Sequence, residues 1–356
     1  MEKYIVSFRP APFKFLKPNT FAEEDVYCFE GTRLLVRGGT FIDQESLYKI
    51  RGSNRGRDTI YVSNHLYIKY MQGLSEEKRI EREEKTGYSE VKQETVEMLS
   101  EIIEKKEVNP MSLLKVSVSV SNRLESTDST TIFSLISALA PKDEYMQRHC
   151  VNTGLLNGLF GRWLGFSKEK VDRLVLIGLL HDAGKALMPK SVLGATRGLT
   201  NTEFEVMKQH PLKSYDLLHA FPDSIRNACR WHHERYDGVG YPDGLKGDEI
   251  SIEARITAIS DVYDAIVSQR SYKVARSPFA VMALLKESSG KQFDPALIDI
   301  FMKSMPHELA GKEVLLSDGS VGTISSIDPN NIEYPIVDIS GNKVRTNKNL
   351  HCTSML

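Results

Sequence analysis

The ten residues LIGLLHDAGK, Leu176–Lys185, decide how this 356-residue chain is read. Seven of the eight residues before His181 (Arg173 to Leu180, with Arg173 the exception) are apolar or glycine, so an imidazole and a carboxylate arrive at the end of a segment that should be buried. Buried polar pairs need compensation. A divalent metal supplies it: Asp182 can bridge two ions, His181 donates a nitrogen, and Gly184 lets the backbone turn so that Lys185 points back at an anion. An isolated His-Asp pair is more simply a capped helix end. The distribution of the other histidines overturns that simpler reading.

Between His149 and His233 lie His149, His181, His210, His232 and His233, with His219 as a sixth that has no obvious context. With Asp182 they offer more nitrogen and oxygen ligands than one tetrahedral ion requires, so a two-metal site is the economical account. A last carboxylate comes from SIEARITAISDVYDAIVSQRSYK, Ser251–Lys273. On a helix Asp261 shares a face with Ala254, Ala258 and Ala265, small residues that let neighbouring helices approach closely enough for it to reach a central ion. Asp264, three residues on, either lines the same cavity or faces solvent, and ranks below Asp261. Between these groups, WHHERYDGVGYPDGLKG (Trp231–Gly247) carries four glycines and Pro242, which forbid a continuous helix. A loop hung directly after two ligands beside a rigid metal centre handles substrate or partner.

Composition narrows the class. Lys and Arg number 46 against 47 Asp and Glu, a net charge of −1, so no global field attracts DNA, RNA or a membrane surface, and an anionic substrate must be met by local charge. Cys28, Cys150, Cys229 and Cys352 lack CxxC spacing, which argues against a zinc ribbon or a disulfide framework and suits a reducing cytoplasm. No window approaches about 18 uninterrupted apolar residues, so neither a signal peptide nor a membrane span is expected.

Four regions are expected: a β-rich module at 1–74, a helical lead-in at 75–140, the catalytic domain at 141–310 and a β-hairpin appendage at 311–356. The first carries short β segments such as Arg33–Val36 and Thr59–Val62, broken by Gly38-Gly39 and by the polar loop RGSNRGRD. EEKRIEREEK, between Ser75 and Thr86, mixes both charge signs and reads as an exposed helix or linker. Apolar stripes at three- and four-residue spacing then predict helices through Val91, Thr95, Met98, Leu99, Ile102 and Ile103; through Leu113, Val116, Val120 and Leu124 after an interruption at Asn109-Pro110; and through Ile132, Leu135, Ile136 and Leu139. Pro141 opens a helix with Tyr145, His149, Thr153 and Leu156 on one face, and the pattern resumes from Pro278 to about Met305. At the end, alternation around Asp318-Gly319 and Ser340-Gly341 signals hairpins.

HDAGK (His181–Lys185), QHP (Gln209–Pro211), HHERYDGVGYPDG (His232–Gly244) and DVYDAIVSQRSYK (Asp261–Lys273), in this order, resemble the HD-GYP subgroup of HD-domain phosphohydrolases over roughly residues 140 to 305. The fold that resemblance implies is mainly α: an HD-type helical bundle, here with the β-rich N-terminal module and the short β appendage. It also implies metal-dependent hydrolysis of cyclic di-GMP to linear pGpG, by a water or hydroxide bridging two ions, commonly iron or manganese. Carried over, His149, His181, Asp182 and Asp261 hold the first ion, and Asp182, His210, His232 and His233 the second. Asp182 and Lys185 are then catalytic, Lys185 contacting the scissile phosphate, while Arg270, Lys273 and the Gly240-Tyr241-Pro242 loop meet substrate. The same loop is where a diguanylate cyclase domain would dock as partner.

Some family members carry glutamate where this chain has Tyr145 and bind a third metal, so two metals and pGpG are expected here. Leu193–Thr200 (LGATRGLT) and Ser214 also depart from the family pattern without removing a ligand, and both bear on access to the site. Two alternatives stand beside the phosphodiesterase: a non-catalytic cyclic di-GMP receptor, and an HD hydrolase of another cyclic dinucleotide such as cyclic GMP-AMP. The discriminating observation is turnover across a nucleotide panel.

Overall fold

Apolar residues three and four apart on a polar chain fold as helices that bury one stripe, and the lead-in region does so. In the computed structural model, which describes residues 8–28, 33–54, 59–63, 80–81, 83–137, 145–193, 195, 197–267 and 277–355, the helix Tyr88–Lys105 buries Tyr88, Val91, Thr95, Met98 and Ile102. Ile103, expected on that stripe, is largely exposed. The next helix, Pro110–Ser126, starts where the sequence breaks: the Asn109 side chain accepts from the Met111 N–H at 3.0 Å, and proline occupies the first turn, where no donor is needed. It buries Leu113, Val116, Val120 and Leu124. Ser129–Ser137 follows, with Ile132, Leu135 and Ile136 buried. Leu139 and Pro141 lie outside the described residues.

The chain divides into two compact units, residues 1–77 with 315–321, and 78–314 with 322–356. In the N-terminal unit we label the strands β1 (Phe8–Pro12), β2 (Thr20–Phe21), β3 (Val26–Tyr27), β4 (Leu34–Val36), β5 (Phe41–Ile42) and β6 (Thr59–Ser63), with helix α1 (Gln44–Ser53) before the last. They form a sheet of order β1-β6-β3-β4, with β1 antiparallel to β6 from Phe8 opposite Ser63 to Pro12 opposite Thr59, and a two-stranded ribbon β2-β5. Ala11, Phe13, Val26, Val36, Ile42, Ile60 and Val62 fill its core. Part of the RGSNRGRD loop, 55–58, lies outside the described residues.

The helices above are α2 (Tyr88–Lys105), α3 (Pro110–Ser126) and α4 (Ser129–Ser137); after them come α5 (Tyr145–Trp163), α6 (Lys168–Leu180), α7 (Lys190–Leu193), α8 (Asn201–Met207), α9 (His210–Leu217), α10 (Asp223–Trp231), α11 (Ile252–Val267), α12 (Pro278–Glu287) and α13 (Pro295–Leu309). Every residue from Arg148 to Gly161 is buried, so α5 is the central helix, apolar on all sides apart from the polar groups it carries to the site. Helix α6 crosses it where two glycines meet: a Cβ on Gly178 would lie 2.6 Å from the Gly154 Cα. That approach is open only to glycine, and it brings the end of α6 beside His149. Phe301 of α13 stacks on Phe160 of α5 at 5.6 Å and meets Tyr263 of α11 edge-on at 5.6 Å.

One lead-in expectation is corrected. Glu83, in the stretch read as exposed, is buried and paired with the buried Arg148 of α5. The mixed charge hid a residue whose partner lies 65 positions away.

Strands β7 (Glu313–Leu316), β8 (Val321–Ser326), β9 (Ile336–Ile339), β10 (Asn342–Arg345) and β11 (Cys352–Met355) make a sheet of order β10-β9-β8-β7-β11. Its hairpins turn where expected: Gly319 takes φ 83° in the four-residue loop between β7 and β8, and Ser340 and Gly341 take 54° and 88° between β9 and β10, the left-handed pair that a two-residue hairpin turn demands. Among the described residues no helix is long and apolar enough to cross a membrane.

Candidate metal centre

The helix ends set out the imidazoles. His181 caps the C-terminus of α6, His210 is the first residue of α9, and His232 caps the C-terminus of α10. Each donates its Nδ1–H back three residues to a carbonyl of a finished or finishing helix: Gly178, Met207 and Cys229, all at 2.7 Å. Last-turn carbonyls have no intrahelical donor, so the imidazole satisfies them and is itself fixed as the tautomer with a bare Nε2. His149 does the same with a carboxylate: its Nδ1–H donates to Asp264 Oδ2 at 2.7 Å, and Asn152 Nδ2 donates to the other oxygen of Asp264 at 2.7 Å.

The bare nitrogens converge in two groups. His149 Nε2 faces His181 Nε2 at 3.3 Å and Asp261 Oδ1 at 3.2 Å. His210 Nε2 faces His232 Nε2 at 3.4 Å and Asp182 Oδ1 at 3.2 Å. Asp182 lies between them, with Oδ2 3.6 Å from His149 and 3.4 Å from His181, and with Oδ1 buried and without a hydrogen-bond partner. Lone pairs aimed at lone pairs in a buried site repel unless a cation sits among them. Two nitrogens at about 2.0–2.1 Å from one ion are separated by roughly 2.9–3.4 Å, the spacing found here. The ligand atoms of Asp182, His210, His232 and His233, and those of His149, His181 and Asp182, each lie within 4.8 Å of one another. The described residues therefore hold His/Asp clusters able to bind metal.

The electrostatics agree. Burial pushes the Asp182 carboxyl up, yet Lys185 and His181 beside it hold it well below the usual carboxylate range. Asp261 follows the same pattern, its burial outweighed by His149, His181 and His233. Burial and the neighbouring imidazoles push His232 far down, and burial with His210 brings His233 to about 3. At neutral pH the acids are charged and those two imidazoles neutral, the protonation states a metal requires.

Gly184 does something other than turn the backbone into a left-handed conformation. A Cβ there would meet the His210 carbonyl at 2.1 Å and the Ser214 nitrogen at 2.4 Å, so glycine allows the HDAGK turn to lie against the start of α9. Ser214, a departure from the family pattern, accepts from the Gly184 N–H at 2.8 Å and donates to the His181 carbonyl at 3.0 Å. Lys185 Nζ rests on Asp182 Oδ2.

The loop after α10 folds back over this centre. Buried Glu234 accepts from the Asp243 and Gly244 N–H groups at 2.6 and 3.0 Å, and Asp243 is gripped by Arg230 through two 2.7 Å bonds and by the Trp231 indole at 2.8 Å. A Cβ on Gly240 would lie 2.5 Å from the Glu234 Cα. The Tyr241–Pro242 peptide is cis, and the Tyr241 ring stacks on His233 at 4.9 Å. His233 is half-buried, its Nδ1 4.0 Å from Asp261 Oδ2. His219 is exposed and stands apart. Arg270, Lys273 and the side chain of Tyr145 lie outside the described residues.

Sequence reasoning missed Asn152 and Glu234 as parts of the site, took Ser214 only as a departure bearing on access, and left Asp264 between lining the cavity and facing solvent; the structure buries Asp264 against His149. For Asp264 a signal existed: a second carboxylate one turn after Asp261 in an apolar helix is as hard to place on a surface as the first.

Residues 134–297 match the family model described as HD domain. A cyclic di-GMP phosphodiesterase response regulator, RpfG, from Xanthomonas campestris is 38% identical over 187 residues, covering 51% of this chain and 49% of that protein. A 3′3′-cGAMP-specific phosphodiesterase 2 from Vibrio cholerae is 28% identical over 184 residues, 51% of this chain and 35% of that one. The chain thus spans about half or less of the length of these relatives. Among solved structures, Bd1817, a HDG"Y"P protein from Bdellovibrio bacteriovorus, superposes with a TM-score of 0.51 over 83% of this chain and 98% of that one, at 16% identity, and shares the fold.

Proposed function

We propose, from the premise that residues 134–297 of this chain form an HD domain, that the protein is a metal-dependent cyclic dinucleotide phosphodiesterase of the HD-GYP kind that opens cyclic di-GMP to pGpG. The observation that carries this is the convergence of bare Nε2 atoms on either side of Asp182, whose carboxyl, like that of Asp261, is held well below the usual range. The first ion would be held by His149, His181, Asp182 and Asp261, the second by Asp182, His210, His232 and His233, with 141–310 as the catalytic domain. Iron or manganese suits a set of borderline nitrogens and hard oxygens. When bound, such a pair supplies a nucleophile at neutral pH and neutralises charge at phosphorus. Lys185, now on Asp182, is within one side-chain rotation of an anion beside it and would take a phosphoryl oxygen, adding charge where it develops. Tyr241, stacked on His233 at the mouth, offers a ring face to a base, and the exposed Val239 of the same loop is where a diguanylate cyclase domain would meet it. Arg270 and Lys273, which follow α11 in the sequence, are proposed to add phosphate contacts.

The relative named as specific for 3′3′-cGAMP favours one competitor, a hybrid cyclic dinucleotide as substrate. Anaerobic purification with iron or manganese, followed by chromatography of a panel of cyclic di-GMP, cyclic GMP-AMP and mononucleotides, tests both. Accumulation of pGpG, lost in Asp182→Ala together with both metals, is the expected result. Tight binding of cyclic di-GMP without turnover in any metal would make the protein a receptor.

A further inference from the structure

We propose that Tyr88, which lies outside the 134–297 HD domain, is a positioning residue for the His149 side of the metal pair; this rests on the two-ion reading above. Its hydroxyl donates to Asn152 Oδ1 at 2.5 Å across 64 residues of sequence. From there the chain of bonds runs Asn152 Nδ2 to Asp264 Oδ1, and Asp264 Oδ2 to His149 Nδ1, both at 2.7 Å. All four side chains are buried, none more than 3% exposed.

The directions are forced. A carboxylate only accepts, so Asn152 must turn its NH2 towards Asp264, which leaves its carbonyl oxygen facing Tyr88 and makes the phenol the donor. Without that donor Asn152 Oδ1 is left buried and unpaired, and Asp264 alone fixes the amide. The Asn152 that steadies Asp264 is then held less firmly, and with it the ring angle of His149. A metal-binding imidazole depends on this kind of outer partner.

The segment bearing Tyr88 is anchored at both ends. Arg148, next to His149, lies over the Tyr88 ring at 5.1 Å and pairs with buried Glu83. Past the far end of α2, Lys106 Nζ donates to the Ala186 carbonyl at 2.8 Å, in the turn that follows Lys185. The lead-in segment therefore touches the His149 side and the turn after Lys185, and Tyr88 reaches His149 through hydrogen bonds.

Tyr88→Phe in the full chain keeps the ring and its packing and removes only the hydroxyl. Manganese binding is measured by chelator competition with elemental analysis, alongside thermal unfolding of the metal-free protein. The expected result is a folded variant in which one ion binds about 10–100-fold more weakly and the other is unchanged. In a His210→Ala background, which leaves the His149 side intact, Tyr88→Phe should weaken the remaining ion by the same factor; in a His149→Ala background it should change nothing. Wild-type affinity for both ions, equal weakening of both, or a loss confined to metal-free stability would each overturn the assignment. A wild-type chain that binds no transition metal would instead remove the proposed function itself.

Discussion

Asp182 is the residue on which the site turns, because it belongs to both clusters of side chains able to bind metal. Four of the candidate ligands are shifted downwards. His232 and His233 are pushed below the ordinary histidine value, and Asp182 and Asp261 below the ordinary carboxylate value. A depressed folded-state pKa means that the unfolded chain takes up protons first, so the stability these groups contribute is present above the unfolded pKa and is lost as pH falls. For the histidines that window opens at about 6.5 and runs down towards 3. The metal-free protein should therefore show a urea midpoint that falls from pH 7 to pH 5, and His233→Asn should flatten that fall; a midpoint independent of pH would count against neutral buried imidazoles. Gly184→Ala, which drives a methyl into the His210 carbonyl, should destabilise by about 1–3 kcal/mol and weaken metal binding, as read by denaturant unfolding and elemental analysis. The candidate ligands were conspicuous in the sequence, since His and Asp in apolar surroundings are rare, and the structure brings them together. Their supports were not: Ser214 read as a departure bearing on access, and Asn152 carried no signal.

Helices α5 and α6 are the elements that matter most, and their crossing is set by Gly154 and Gly178. Gly178→Ala should cost about 1–3 kcal/mol and loosen the metal held between His149 and His181, because the helices must part to admit a Cβ. Gly52→Ala in α1 is the control: a Cβ there meets nothing within 4 Å, so the change should be neutral or stabilise by about 0.4–1 kcal/mol. A Gly178→Ala change as neutral or stabilising as Gly52→Ala would show that helix propensity, not the crossing, governs the effect. The helices themselves were readable, α2 and α3 from their stripes and the Asn109-Pro110 start, because period and cap are local properties. The crossing was not readable, since a glycine in a helix does not announce which neighbour comes close.

For the whole molecule, metal binding at the His/Asp clusters would link the centre to stability. A ligand bound to the native state at a hundredfold excess over its Kd stabilises by about 2.7 kcal/mol, and a domain of 150–250 residues shifts by roughly 2–4 °C per kcal/mol. Stripping with a chelator should lower the helical unit's calorimetric transition by roughly 5–10 °C per ion and leave the N-terminal module's transition in place; an unchanged trace would show that the clusters carry no metal. The sequence by itself determined the strands around Leu34–Val36 and Thr59–Val62, the hairpin turns at Gly319 and Ser340-Gly341, the stripes of the lead-in helices and which side chains can bind metal. These follow from backbone sterics, periodicity and side-chain chemistry acting over a few residues. Only the tertiary structure decided that Asp264 holds His149 across 115 positions, that Glu83 pairs with Arg148, and that Tyr88 of the lead-in helix reaches the centre. A hydrogen-bond partner brought by folding carries no periodic trace, so it is found only where the chain has already closed on itself.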